Sequence, residues 1–494
     1  MTRAGSDYVQ GLRDGRQVFI NGSVVRDVTS HPAFEGSVRS IADLYDMAND
    51  QANRDVLTFE SPTTGEPVNI AFMIPRSKED LARRRRGLRR WSEQTFGLMG
   101  RSPDHVAGFL AGFASHADFF DTGERAYGAN LLAFYQRVRD TDAYLTYVIA
   151  PPQIDRAKPA HQQADPHLYA GVKEQQRDGI LVAGAQMLGT GAALADWILL
   201  SNIVPLAPGD ENYAVTAAVP LSAPGLRIHA RRSYAEAATS CYDYPLSTRY
   251  DESDSLVVFD DVFIPWEHVF AYRDLRRVRE QWSLTPAHAL GNNQAQIRLS
   301  TKLDFLVGIA KAVAEMNGTI NVPAIQGVIG ELSAQAVAVK ALLLAQEENC
   351  LIDERGVAWP GIAEVNCCST LQIDAYPQMV NAVRELCGGG LIQLPSCRDD
   401  FTNEQARADL DRYVQSPGTS SVQRVKLMKL AWDLVGSEFA SRHQQYELFY
   451  AGAPHLVRAR MFSSYDFGPS AGLVERALAG YDLDGRTGRD RGAS

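Results

Sequence analysis

What this chain of 494 residues lacks narrows its reading first. Positive charge is in deficit, with 49 Lys and Arg against 59 Asp and Glu and a formal charge of −10. Nucleic acid and anionic membrane surfaces both demand a net basic face, so neither is an expected partner. The one basic run, residues 83–90, follows Ser77 at helical spacing and predicts a solvated helix face with no functional role. No stretch approaches the ~20 apolar residues of a membrane span, and the polar residues 1–8 lack the apolar core of a signal peptide. A cytoplasmic location is expected. Cysteine is scarce: the six at 241, 350, 367, 368, 387 and 397 form no C-x-x-C pair, which predicts reduced thiols and no metal site. No G-x-G-x-x-G follows a strand pattern, so a built-in nicotinamide site is not expected.

What is present is ample core. Hydrophobic residues make up 45% and charged residues 22%, a globular composition, and the length calls for two or three packed units. Apolar residues recur at three- and four-residue spacing over 41–47, 78–94 and 106–120, predicting helices, with strand-like pieces at 17–20 and 68–73. Pro151-Pro152 then forbids a helix. Strands are predicted over 180–187, 197–204, 213–220, 226–230 and 256–264. Long amphipathic helices return over 298–316, 325–349, 377–387 and 422–450, with Gly388-Gly389-Gly390 ending one of them. The expected fold is mostly α with a central β domain: a helical domain over 1–143, a β domain over 144–275, a helical bundle over 276–481 and a flexible tail over 482–494.

Several runs, in order along nearly the whole chain, carry a likeness. Residues 22–34 read G-S-V-V-R-D-V-T-S-H-P-A-F. Gly100-Arg101-Ser102-Pro103-Asp104, Pro152-Gln153-Ile154-Asp155-Arg156 and Pro245-Leu246-Ser247-Thr248-Arg249 follow, then residues 259–266 and 429–446. Together they resemble the 4-hydroxyphenylacetate 3-monooxygenase oxygenase-component family, two-component phenol hydroxylases. Ala431-Trp432-Asp433 and residues 481–485 are most similar to members acting on tyrosine-derived rings in secondary metabolism. The resemblance implies an acyl-CoA-dehydrogenase-like fold: an N-terminal helical domain, a β-barrel-like middle domain and a C-terminal antiparallel four-helix bundle. It also implies a homotetramer built from dimers. FAD, arriving as FADH2 from a separate NAD(P)H-dependent flavin reductase, would bind reversibly between the β domain and the bundle. With molecular oxygen it would form a C4a-hydroperoxide that hydroxylates a phenol at the ortho position.

The same resemblance assigns residues. Gln153, Ile154, Asp155 and Arg156, with Pro159, Ala160, His161 and Gln162, would touch the flavin; the alternative leaves Arg156 a surface charge in a linker. Thr190 would sit against the flavin ring. Gly452, Ala453, Pro454 and His455 close the late helix where the family contacts flavin, although Gly452 alone also suits a helix C-cap. Ser102 is an expected N-cap with Pro103 at the first helical position, so Arg101 and His105, four apart, share a side of the helix start. A cation beside a phenol oxygen favours the phenolate, and a helix N-terminus disfavours imidazolium, so a neutral His105 would take the phenol proton. The bland alternative is a solvated arginine and histidine.

Two departures stand out. Typical members carry tyrosine in place of His105 and histidine in place of Tyr147. Where the family binds the substrate carboxylate through a Ser-Thr pair, this chain has Ile203 and Val204, whose side chains donate no hydrogen bond. Free hydroxyphenylacetate is therefore a poor fit, and a larger, neutral or carrier-tethered aromatic a better one. Rival readings are an acyl-CoA-dehydrogenase-type desaturation, for which no catalytic glutamate can be placed, an iron–sulfur dehydratase, for which Cys350, Cys367, Cys368 and Cys387 lack the spacing, and a scaffold whose flavin pocket has decayed.

Overall fold

Helices open and close the chain around two β-sheets. The computed structural model describes residues 2–123, 125–481 and 483, so the expected tail falls outside them apart from Leu483. The 41–47 pattern lies inside Glu35–Asn49, whose Val38, Ile41, Leu44, Tyr45 and Ala48 face the core. Ser77 caps Lys78–Glu93 by accepting from the Asp80 N–H. The 106–120 pattern divides into Asp104–Ser115 and a 3-10 turn, Ala117–Phe120, because His116 leaves helical geometry at φ −129°. Residues 68–73 likewise divide into the strand Pro67–Asn69 and a 3-10 turn, Ile70–Phe72.

The basic run is not a solvated face. Arg84 is wholly buried and its Nη1 donates to the carbonyls of Ile70, Ala71 and Met73. Arg85 pairs with Glu347, and Arg89 with Asp304 at 2.8 Å, both in the C-terminal helices. A rigid guanidinium fork reaches fixed carbonyls and carboxylates on long stems, so this run ties the first helical part to the bundle.

Strand Gln17–Ile20 is where the sequence predicts it, and it joins the central β region rather than standing alone. A six-stranded sheet runs in the order Ser23–Val25, Gln17–Ile20, Leu226–Ala230, Ser255–Pro265, Gly179–Gln186, Gly171–Gln175. A four-stranded sheet runs Val269–Tyr272, Val215–Pro220, Trp197–Leu200, Leu145–Val148, with Tyr147 opposite Leu199 in the one parallel pair. The two sheets stay separate, so the expected barrel does not close. Asp261, at φ 54°, marks the bulge where the long strand shifts register.

The bundle is built on Ala287–Met316, Pro323–Glu348 and Ile362–Cys387. The last begins fifteen residues before Pro377 and runs through it, because Ile373, Tyr376, Met379, Val380 and Val383 bury one continuous stripe that outweighs one lost backbone bond. Gly388, at φ 56°, stops it as expected. The predicted 422–450 helix is two: Ser421–Val435 ends at Gly436, and Ser437 caps Glu438–Phe449 by accepting from the Ala440 N–H. Contrary to the sequence reading, one helix, Pro323–Glu348, is long and apolar enough to cross a membrane, with mean hydropathy 1.6. Three of its charges are tied down within the chain, Lys340 to Asp304 at 2.6 Å, Glu347 to Arg85 and Glu348 to Lys78.

Candidate active site

Arg101 stands at the end of the turn that leads into Asp104–Ser115 and is only 6% exposed. Its guanidinium carbon lies 5.2 Å from the ring centre of Tyr147 and 5.1 Å from that of Tyr446. Nη1 donates to the Tyr446 hydroxyl at 2.6 Å, and the backbone N–H of Arg101 donates to Glu252. Burial opposes the charge, but Tyr147, Tyr446 and Glu252 outweigh it and hold the group above its ordinary range. Among the described residues its guanidinium has no carboxylate partner.

His105 sits one helical turn on, its ring 5.7 Å from Tyr147 and 5.2 Å from Phe109. Ser102 does not cap this helix through its side chain: Pro103 is already helical at φ −50°, and the Ser102 hydroxyl donates to the Asp104 carboxylate instead. Burial first, then the nearby Arg101 and Arg298, hold His105 well below its usual value, so it is neutral. That matches the expected charge state by a different cause, since desolvation outweighs the helix terminus. Arg101 and His105, four residues apart, therefore cluster with the sequence-distant Tyr147.

An aromatic wall leads outward. Phe109 meets Tyr147 edge-on at 5.7 Å and Trp282 at 5.9 Å. Gly291 permits that wall, because a Cβ there would fall 2.1 Å from the Phe109 ring. Trp282 in turn lines a small cavity of about 40 Å³ with Ile203, Val204, Leu206 and Val278. Ile203 and Val204 are 48% and 46% exposed, and Val204 donates its N–H to Asn202. A larger cleft of about 290 Å³, bordered by Glu35, Arg39, Asp43 and Arg249, shares no residue with this pocket.

Behind Arg101 lies a charged seam between the sheets and the bundle. Arg442 pairs with Asp254 at 2.7 Å and Glu252 at 3.3 Å, and Arg231 with Asp251 at 2.7 Å and Asp254 at 3.0 Å. Arg298 grips Glu447 through two bonds of 2.7 and 2.9 Å, and the buried Lys302 shares Glu447 and reaches His443 Nδ1. Burial draws Lys302 down to about 8 despite Glu447. Thr190 belongs here: its hydroxyl donates to Asp254 at 2.7 Å, while its carbonyl accepts from Thr146. The seam holds five cations, Arg101, Arg231, Arg298, Lys302 and Arg442, against four carboxylates, Asp251, Glu252, Asp254 and Glu447. With the buried Asp104 carboxylate also acting on Arg298 the charges balance, and what the site leaves open among the described residues is the unpartnered Nε2 of His105.

The remaining flavin candidates lie on open loops. Gln153, Ile154 and Arg156 are exposed; Asp155 accepts from the Ala157 N–H and pairs with Lys158. After Pro159, Ala160 packs on Tyr169 and Tyr213, His161 is held to Asp210 at 2.8 Å, and Gln162 is exposed. Gly452, at φ 110°, turns the chain, Ala453 and Pro454 start the helix Pro454–Ser464, and His455 is exposed. Among the described residues no hydrogen bond or ion pair joins the 153–162 loop to 452–455.

Sequence reasoning passed over Tyr446, Gln294, Glu252, Arg298 and Glu447. The signal was there: Gln294, Arg298 and Lys302 recur every four residues along a largely buried helix, and Arg442 with Tyr446, and His443 with Glu447, do so on another. Buried polar groups must find partners, and Arg298 and Lys302 find theirs on the second helix, at Glu447 and His443.

Fold and site together define an oxidoreductase in which helices flank two β-sheets, with a buried, cation-rich cluster at the seam of its sheets and bundle. More narrowly, the chain belongs to the 4-hydroxyphenylacetate 3-hydroxylase family, whose N-terminal model matches residues 4–271 and whose C-terminal model matches 278–479. It is 36% identical to the pyoverdin chromophore biosynthetic protein PvcC of Pseudomonas aeruginosa, across 97% of this chain and 96% of that protein. It is 32% identical to the (3S)-3-amino-3-(3-chloro-4-hydroxyphenyl)propanoyl-[peptidyl-carrier protein SgcC2] monooxygenase of Streptomyces globisporus, across 98% and 92%. The solved oxygenase component (HpaB) of 4-hydroxyphenylacetate 3-monooxygenase, complexed with FAD and 4-hydroxyphenylacetate, superposes with TM-score 0.91 at 33% identity, covering 96% of this chain and 98% of that one.

Proposed function

We propose that this chain hydroxylates a phenolic ring ortho to its hydroxyl, as the oxygenase component of a two-component system that receives reduced FAD from a separate NAD(P)H-dependent reductase. Reduced flavin with molecular oxygen supplies the electrophilic oxygen atom when bound. The observation that carries the reading is Arg101, a buried guanidinium without a carboxylate partner, set between two aromatic rings and beside the bare Nε2 of His105. Held against a phenol oxygen, that charge stabilises phenolate character and enriches the ring in electrons. His105 accepts from the phenol hydroxyl, Tyr147 orients the ring, and the wall of Phe109 and Trp282 keeps water out. The flavin is held by Gln153, Ile154, Asp155, Arg156, Pro159, Ala160, His161, Gln162, Thr190 and the 452–455 turn.

Ile203 and Val204 favour a neutral or carrier-tethered ring over a free carboxylate, and a relative named for a carrier-bound substrate supports that choice. The active unit is a homotetramer assembled through the bundle, where Val337, Leu344, Leu351 and Leu371 are 50–63% exposed. Six free thiols and a nicotinamide-dependent partner suit the cytoplasm. To test the reading, the chain would be supplied with FAD, a general flavin reductase, NADH and oxygen, with a panel of phenols free and carrier-bound. Catechol product and hydrogen peroxide would be followed separately. Catechol from neutral or tethered phenols is expected; peroxide alone, with every phenol, sinks the proposal and leaves a scaffold.

A further inference from the structure

Three buried side chains decide how His105 meets its substrate. The Asp104 carboxylate is wholly buried and takes the Ser102 hydroxyl on one oxygen. On the other it takes the amide of Gln294 at 2.7 Å, and the Gln294 Oε1 lies 2.7 Å from His105 Nδ1. A carboxylate only accepts hydrogen bonds, so the amide must turn its NH2 toward Asp104 and its carbonyl toward His105. The carbonyl also only accepts, so the hydrogen of the neutral imidazole must lie on Nδ1. Nε2 is then a bare lone pair, and it is a buried atom without a hydrogen-bond partner.

We propose that Gln294 is a positioning residue that fixes His105 as the Nδ1–H tautomer, so that Nε2 is the acceptor for the substrate's phenolic hydroxyl. The inference rests on the phenol-hydroxylase reading of this pocket and assigns a residue that the reading does not use. The groups facing His105 agree with it. From its own helix and the preceding turn come Asp104, Phe109 and Arg101; from the strand Leu145–Val148 comes Tyr147; from Ala287–Met316 come Gln294 and Arg298. Both charges acting on the ring are positive, and the nearest carboxylate is insulated from it by the Gln294 amide. Among the described residues nothing on Nδ1 competes with the amide, and nothing occupies Nε2. A tyrosine at this place would need no such device, because a hydroxyl turns to suit its partner.

The test reads the ring directly, without turnover. The full-length chain would be labelled with 15N-histidine and its solid-state spectrum recorded near neutral pH, with His105→Gln used to assign the resonance by difference. The expected result is a protonated Nδ1 and a pyridine-like Nε2. A protonated Nε2, or an imidazolium, overturns the proposal in the unsubstituted protein, whatever the variants do. Gln294→Leu is then expected to move the hydrogen partly or wholly to Nε2, whereas Gln294→Glu, still an acceptor toward Nδ1, keeps the original pattern. A Gln294→Leu spectrum unchanged from the parent assigns the tautomer to something else and refutes the positioning role. Absence of catechol with every phenol, alongside an Nδ1–H ring, would defeat the enzymatic reading and the phenol's place at Nε2, and leave only the tautomer set by Gln294 standing.

Discussion

Arg101 gives one guanidinium hydrogen to the Tyr446 hydroxyl at 2.6 Å and lays its cationic face 5.1 Å from the same ring, while among the described residues no carboxylate pairs with its guanidinium. Its charge is therefore oriented yet unspent, as a residue reserved for a substrate anion must be. Arg101→Ala should lower hydroxylation by about 10²–10³-fold, the cost of losing one preorganised charge-stabilising donor, and leave flavin binding nearly unchanged. Steady-state catechol formation beside a flavin fluorescence titration checks this. Equal losses in both would contradict the role.

Gly100 is the reason Tyr446 can come so near. A Cβ at Gly100 would stand 2.3 Å from the Tyr446 hydroxyl oxygen and 2.5 Å from its ring carbon, so one of the two must move. Gly100→Ala should cost about 1–3 kcal/mol in urea unfolding, the usual penalty for overpacking, and depress turnover because Arg101 loses its anchor. Combining it with Tyr446→Phe removes the nearest clashing atom, so the pair should be less than additive. Strict additivity would show that the two residues do not meet.

The Arg298–Glu447–Lys302 cluster makes a stability prediction with a defined pH sign. Burial by itself would raise the Glu447 carboxyl, but Arg298 and Lys302 overcome it and bring it from 4.5 down to about 2. A carboxyl depressed on folding contributes stability above its unfolded value and loses it as the pH falls through the folded one. The parent should lose stability between about pH 4.5 and 2 more steeply than Glu447→Gln does. At neutral pH that substitution leaves two buried cations uncompensated and should cost about 3–5 kcal/mol. Chemical denaturation at several pH values measures both, and parallel acid limbs would refute the assignment.

These relationships also mark where the sequence was readable. Periodicity located the strands and most helices, because burial of one face leaves a direct trace in residue spacing. It failed at Pro377, where tertiary packing carried a helix through a residue that ends isolated ones, and at Gly436, where one amphipathic pattern spans two helices. It also misread Arg84, because a buried arginine and a solvated one look alike until the carbonyls of Ile70, Ala71 and Met73 converge on it. Arg101 and His105 drew notice from the helix start and Tyr147 through the family resemblance, whereas Gln294 and Tyr446 depended on contacts 189 and 345 residues distant in sequence. Separation of the sheets was invisible for the same reason, since strand order is a long-range property.

Ile203 and Val204 offer a test of substrate choice that leaves the chemistry alone. They border a small cavity with Trp282, which leads by way of Phe109 to Tyr147 and so to Arg101. A carboxylate reaching that place meets two aliphatic side chains and gains no hydrogen bond, so its desolvation goes uncompensated. Ile203→Ser with Val204→Thr supplies two hydroxyl donors, the first with a smaller side chain and the second with a nearly isosteric one, at positions already 48% and 46% exposed where a change of shape is tolerated. The double variant should raise kcat/KM for 4-hydroxyphenylacetate by about tenfold or more, through KM rather than kcat, because the gain is in ground-state and transition-state binding alike. For a neutral phenol of similar size it should change little. A gain of equal size for both substrates would mean that the substitutions merely opened the cavity, and no gain for either would remove these residues from the substrate site.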